Sequence, residues 1–248
     1  MKPYVRFTIN TRAETIGWSV GERLVDSLAI NDGALMPEYM SHNADKVTEP
    51  FVNKSKAETL WAEKATIRFN GALSDFHQDF AWRRKKNTKC TGDVCHTFRD
   101  FHGKTVPGSI CLTSACNENI DWYLLFKTWC EIFPPQLGML HLFSKPELGS
   151  DKKYDSFQLG IFNEALNPDV PNIGWAMFYG DEFAEAVDSE RISAAGFPVE
   201  KMGNGYLVRV TENIQDIVSD FSVFSKRRAE LKSLFPAGFF LIEDEPLG

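Results

Sequence analysis

The sequence predicts an α+β fold, a mixed or antiparallel sheet packed with helices. Three observations carry this expectation. Strand-like and helix-like segments follow one another in mixed order, without the regular strand–helix–strand alternation of a parallel sheet. One segment from Trp122 to Phe133 has apolar residues at the spacing of a helix with one buried face. Several short apolar runs are bounded by glycine-containing turns, as strands are.

Taken in order, Tyr4-Val5-Arg6-Phe7-Thr8-Ile9 alternates as a strand does. A helix is expected from about Thr15 to Ile30, where Ile16, Val20, Leu24 and Leu28 recur every fourth residue and Asp32-Gly33 ends the run. Ser55-Lys56-Ala57-Glu58 has the form of a capping box opening a short helix through Trp61. Thr66 to Gly71 reads as a strand entering a turn. The stretch 75–104 is polar and irregular, with the basic cluster Arg83-Arg84-Lys85-Lys86 and then Lys89, and is expected to be a strand with a long exposed hairpin or loop. Ser109 to Ala115 reads as a buried strand. In the helix that follows, Trp122, Leu125, Phe126, Trp129, Cys130 and Phe133 form one apolar stripe. Pro134-Pro135 stops it, and Gly138 to Phe143 resumes as a strand.

After the turn-rich Asn167 to Pro171, Ile173 to Gly180 is an apolar strand. Asp181-Glu182 opens a helix, where acids favour the N-terminal dipole. Gly203-Asn204-Gly205 is a turn leading into the strand Tyr206 to Val210. A last helix includes Phe221, Phe224, Leu231, Leu234 and Phe235 and ends at Pro236-Ala237-Gly238; Phe239 to Ile242 is expected to add a strand.

The 248 residues show no internal repeat, low-complexity tract or linker, so a single domain over 1–248 is expected, with halves 1–105 and 106–248 as the alternative. Apolar residues make up 43% and charged residues 25%, and the chain holds 20 Phe and 6 Trp, enough to build a core without disulfides or metal. The N-terminus leads straight into a strand with no apolar signal core, and no stretch has the length of a membrane span, so the expectation is a cytoplasmic protein with no membrane partner. Five cysteines, an odd number, fit reduced thiols. A net charge of −7 argues against direct nucleic-acid binding and suits a basic partner.

Candidate chemistry is sparse. Cys90, Cys95, His96 and His102 lie close in sequence, and Cys111 and Cys116 follow, but the pairs are spaced at the edge of the usual zinc-ligand insert. No Gly-x-Ser-x-Gly elbow is present, and Gly203-Asn204-Gly205 lacks the third glycine of a dinucleotide site. Cys95-His96 are neighbours in sequence, whereas a catalytic base must be a neighbour in space. The expectation is no catalytic residue, no cofactor and no metal. An enzyme with a divergent site in this Cys/His region, metal-dependent or not, is the alternative. The basic cluster 83–89 reads as a solvated hairpin.

Charge distribution points elsewhere. Between Glu164 and Glu200 the acids Glu164, Asp169, Asp181, Glu182, Glu185, Asp188, Glu190 and Glu200 face a single base, Arg191. That excess of seven negative charges equals the imbalance of the whole chain. Within it, Asp181, Glu182, Glu185, Asp188 and Glu190 are the candidate partner-binding residues, because an acidic face attracts a basic protein and speeds its capture.

The run Ile173 to Gly180, then Ala194-Ala195-Gly196-Phe197-Pro198-Val199-Glu200, then Gly203 to Val210, resembles the C-terminal half of type VI secretion and polymorphic-toxin immunity proteins. In that pattern a Trp-bearing strand and a helix precede a glycine turn, a strand ending in a basic residue and a closing helix. The Trp-rich helix 122–133 and the strand 139–143 fit it too. The resemblance implies an α+β protein that binds and neutralises one cognate toxin, often a nuclease, in the producing cell. It brings no catalytic residues and no contact residues to transfer.

Overall fold

The structure, a computed structural model, describes residues 2–69, 72–100, 102–147, 152–160, 170–243 and 245–246. The chain forms two compact units, one of residues 1–10 with 135–248 and the other of residues 11–134. The breaks fall at 10/11 and 134/135 rather than at 105. Helices and antiparallel pairs make up both units, which is the α+β class the sequence predicts. Among the described residues no helix is long and apolar enough to cross a membrane.

β1 (Tyr4–Thr11) opens the chain, and its alternation buries Val5, Phe7 and Ile9. The second unit then builds α1 (Trp18–Ser27), α2 (Ile30–Gly33), β2 (Tyr39–Ser41), β3 (Glu49–Pro50) and α3 (Lys54–Leu60). α1 begins at Trp18, three residues later than its periodicity predicts. Tertiary bonds explain the delay. Trp61 Nε1–H donates to the Thr15 carbonyl at 3.1 Å and Thr97 N–H donates to the Thr15 hydroxyl at 3.0 Å, so Thr15 cannot serve a helical turn. α3 is capped by Asn53, whose side chain accepts from Lys56 N–H at 2.9 Å, and not by Ser55. Asn53 caps as well as Ser does, and starting two residues earlier still buries Ala57 and Leu60.

β4 (Lys64–Phe69) and β5 (Ala72–His77) form a two-stranded hairpin of their own. β6 (Phe80–Arg84) and β7 (Cys90–Cys95) follow, then the short pair β8 (Phe98–Arg99) and β9 (Thr105–Val106), then β10 (Gly108–Ala115). The stretch 75–104 is therefore far more regular than its polarity suggests. β10, β7, β6, β2 and β3 lie side by side in that order, with β10–β7, β7–β6, β6–β2 and β2–β3 all antiparallel. Phe80 and Trp82 point into the core from β6. Trp82 lies opposite Gly92 in the ladder, and a Cβ there would come within 2.1 Å of the indole, so Gly92 is the gap that seats the ring.

α4 (Trp122–Ile132) is capped by Asp121, which accepts from Leu124 N–H at 2.9 Å. Its stripe of Trp122, Leu125, Phe126, Trp129 and Cys130 is buried as the spacing predicts. Trp129 meets Trp82 edge to face, with ring centres 6.1 Å apart, and donates its Nε1–H to Ser27 Oγ on α1 at 2.8 Å.

The chain returns to the first unit at β11 (Pro135–Phe143), followed by a 3-10 turn at Lys145–Glu147 and α5 (Lys152–Leu159). Then come β12 (Ala176–Tyr179), α6 (Asp181–Ala184), α7 (Ser189–Ala194), β13 (Val199–Met202), β14 (Gly205–Arg209), α8 (Asp216–Ser219) and α9 (Phe221–Lys232). β13, β14, β12, β11 and β1 lie in that order. Gly203 at φ +56° supplies the left-handed residue that the tight β13–β14 turn requires. Phe239 to Ile242 adds only an isolated bridge, Val170 to Phe240, in place of a strand. Its Phe239 and Phe240 instead pack on Phe235 with ring centres 5.3 and 5.2 Å away. Burial of those rings, with the Leu241 and Ile242 N–H groups donating to the Val170 and Pro171 carbonyls at 2.9 Å each, holds this segment.

A buried charge network holds the same unit. Glu147 accepts a forked pair of bonds from Arg228, Nη2–H to Oε1 at 2.8 Å and Nη1–H to Oε2 at 3.0 Å. Arg228 Nε–H donates to Glu245, which also pairs with Lys232. Trp175 N–H donates to His141 Nδ1 at 3.0 Å, so the ring proton sits on Nε2 and is donated to Glu147 Oε2, also 3.0 Å away. Burial holds His141 below its ordinary pKa and therefore neutral. Burial alone would raise the Glu147 pKa, but Arg228 and His141 outweigh it and hold it at about 2. Two carboxylates and two cations thus balance inside an apolar shell that includes Phe157 and Phe224.

Candidate functional site

The unit of residues 11–134 contains a cleft of about 850 Å³, a size that accepts a small molecule or the side chains of a protein loop. The two short hairpins line it with Asp75, Phe76 and His77 from the first and Phe98, Arg99 and Thr105 from the second. Arg12, Glu14 and Ile16 contribute from the segment ahead of α1, and Cys95 and His96 from the end of β7. His42, Gln78, Asp79, Thr97 and Pro107 complete the lining.

Several of these groups are already engaged. His77 Nδ1–H donates to the Ala62 carbonyl at 2.7 Å, and His42 Nε2–H to the Leu60 carbonyl at 3.1 Å. Thr66 Oγ1–H donates to Asp75 at 2.6 Å across the hairpin. His96 differs. Its Nδ1 lies 3.1 Å from the Thr15 hydroxyl, which also accepts from Thr97 N–H. Its Nε2 is buried and has no hydrogen-bond partner among the described residues.

Burial pushes the His96 pKa down to about 4, with the Asp79 carboxylate opposing. The unfolded chain takes up this proton below about pH 6.5, whereas the folded chain does so only near pH 4. Stability present above pH 6.5 is lost as pH falls through that window, by roughly 2–3 kcal/mol for this one group. Urea unfolding of the wild type and of His96→Gln at pH 7 and pH 4.5 checks this. The variant should lose less stability over the interval, and equal losses would refute the assignment.

Cys95 is a poor nucleophile here. Burial, with Asp79 and Asp93 nearby, pushes its thiol up to about 12, so the thiolate is scarce at neutral pH. Nor do the Cys/His candidates assemble as zinc ligands. Cys90 and Cys95 occupy opposite ends of β7, roughly 17 Å apart along an extended strand and on opposite faces. Cys90 is buried and its thiol pushed up to about 11. Cys111 lies opposite Asp93, and His102 sits in the exposed turn between β8 and β9. Among the described residues no three His, Cys, Asp or Glu side chains are grouped to hold a metal ion. The basic cluster is partly consumed by the fold: Arg84 Nη1–H donates to the Met36 carbonyl at 3.0 Å and Lys85 lies over the Tyr39 ring.

The acidic candidates occupy one exposed stretch of the other unit. Asp181 and Glu182 open α6, and Glu182 accepts from Gln136 Nε2–H at 2.8 Å. Glu185 follows the helix, Asp188 caps α7 by accepting from Arg191 N–H at 3.0 Å, and Glu190 lies in its first turn. All five are exposed. Glu164 and Asp169 lie outside the described residues.

The cleft itself was not legible in the sequence. Its lining comes from segments 12–16, 42, 75–79, 95–99 and 105–107, and no spacing rule joins them. The only signal was the polar 75–104 stretch with aromatic residues set in it.

No family model matches the chain, and no curated protein matches it. Among solved structures, a crystal structure of the Trypanosoma brucei AdoMetDC-delta26 monomer is similar over 84% of this chain, at 6% identity and a TM-score of 0.27. The chain spans 63% of that structure's length, and a likeness so slight carries no argument.

Proposed function

We propose that this protein is a stoichiometric inhibitor that binds and neutralises a cognate secreted toxin, a basic nuclease effector, in the cytoplasm of the producing bacterium. One observation carries the reading: the cleft is bordered by two small hairpins whose Phe76 and Phe98, both lining it, are about half exposed. Open apolar residues with arginines around a concavity have the composition of a protein-docking centre. The protonated Cys95 and the dispersed Cys/His set weigh against the divergent enzyme. The sequence resemblance over 173–210 supports an immunity role.

Coexpression with a nuclease toxin encoded beside this gene should restore growth and yield a complex of fixed stoichiometry. A purified pair that does not associate would overturn the reading. Within such a pair, the exposed acids at 181–190 act by steering. A variant with Asp181→Lys, Glu182→Lys and Glu185→Lys should associate more slowly and with weaker salt dependence, while dissociating at nearly the wild-type rate. Stopped-flow kinetics at two salt concentrations measure this. An unchanged association rate would leave those acids to solubility alone.

A further inference from the structure

We propose that the cleft of the 11–134 unit anchors the partner, taking an exposed partner loop that carries an Arg or Lys beside an apolar side chain. This rests on the inhibitor reading and names the surface that would serve it.

The hairpin register sets out the apolar half of the argument. Ala65 pairs with Phe76 and Ile67 with Ser74, so these share one face, while Lys64, Thr66 and Arg68 pair with His77, Asp75 and Leu73 on the other. Ile67 is 50% and Phe76 43% exposed, and across the cleft Phe98 is 55% exposed. Each hairpin is a two-stranded sheet, which is marginal in water without a covering partner.

Charge selects the occupant. Glu14, Asp75 and Asp79 outnumber Arg12 and Arg99 around the cleft, and Arg99 already donates to the Gly103 carbonyl at 3.2 Å. That balance favours a cationic head over an anionic one, and a wholly apolar ligand would strip water from carboxylates without replacing it. A lysine or arginine satisfies both halves, laying its apolar stem along the phenyl rings and its cationic head at the carboxylates. His96, 5% exposed and lining the cleft, retains a ring nitrogen, Nε2, without a hydrogen-bond partner among the described residues. A peptide brings both N–H donors and carbonyl acceptors, so it can partner that nitrogen in either tautomer.

The test uses the full chain and two capped dipeptides, N-acetyl-Phe-Arg-amide and N-acetyl-Phe-Glu-amide. Binding is followed by the nuclear magnetic resonance signals of the His96 ring and of Trp61, whose indole packs edge-on to it. The Arg peptide should shift these signals to saturation and bind about tenfold tighter than the Glu peptide. Glu14→Gln, Asp75→Asn and Asp79→Asn together should abolish that preference, and Phe98→Ala should weaken both peptides. Equal binding of the two peptides, no shift with either, or a preference unaffected by the triple substitution would overturn the proposal. Toxin protection separates the two claims. If the wild type protects and a triple variant of unchanged Tm protects equally, the cleft assignment falls and the inhibitor reading stands. If the Arg peptide binds selectively but the wild type neither binds nor neutralises the toxin, the inhibitor reading falls and the cleft's selectivity for a basic peptide is supported.

Discussion

Replacing Arg228 by alanine is expected to destabilise the protein by about 3–5 kcal/mol, because both Glu147 and Glu245 then lose a partner inside the core. The forked contact to Glu147 is fully buried, so solvent cannot take over the charge. Urea unfolding at pH 7 should show a much lower midpoint with an unchanged slope. The pH dependence should change sign for this group. In the wild type the Glu147 pKa is depressed to about 2, so its contribution is present above the unfolded value of 4.5 and lost as pH falls towards 2. Without Arg228, burial raises that pKa instead, and the deficit of the variant should shrink on acidification. Glu147→Gln combined with Arg228→Met should recover part of the loss, since no unpaired charge then remains at that contact. An Arg228→Ala protein as stable as the wild type would show that the network contributes nothing.

Trp129→Ala should cost about 3–5 kcal/mol for a different reason, the cavity left between α4 and the sheet. Trp129 is fully buried, meets Trp82 edge to face and bonds Ser27 on α1. Trp129→Phe keeps most of the ring contact and loses the bond to Ser27, so a smaller cost of about 1–2 kcal/mol is expected. Thermal or urea unfolding of the pair separates packing from hydrogen bonding. An unchanged midpoint for Trp129→Ala would mean that this face is not core.

The contrast between these two residues shows what a sequence makes legible. Trp129 stands in a stripe whose spacing repeats with the helical turn, and local periodicity reports which side of an element is buried. Arg228 stands in a polar run, Ser225-Lys226-Arg227-Arg228, that reads as solvated surface. Its burial depends on Glu147 and Glu245, far away in the chain, and local spacing does not report a charge balance assembled across such distances. Cap position is not fixed by local spacing either: Ser55 and Asn53 are both competent caps, and the fold uses Asn53.

The sequence by itself therefore determined the α+β class, the helix ending at Pro134-Pro135, the strands around 4–9, 109–115, 138–143 and 206–210, and the acidity of the 164–200 stretch. Each depends on neighbours within a few residues, through side-chain alternation, backbone restriction or simple charge count. Tertiary structure alone decided the regular strands hidden in 75–104, the late start of α1, the neutral His96 and the cleft. There, pairing brings Arg12, Asp75, Cys95 and Pro107 around one concavity. The thiol at Cys95 is held protonated by burial and by Asp79, sixteen positions away, and no reading of Cys95-His96 as sequence neighbours contains that information.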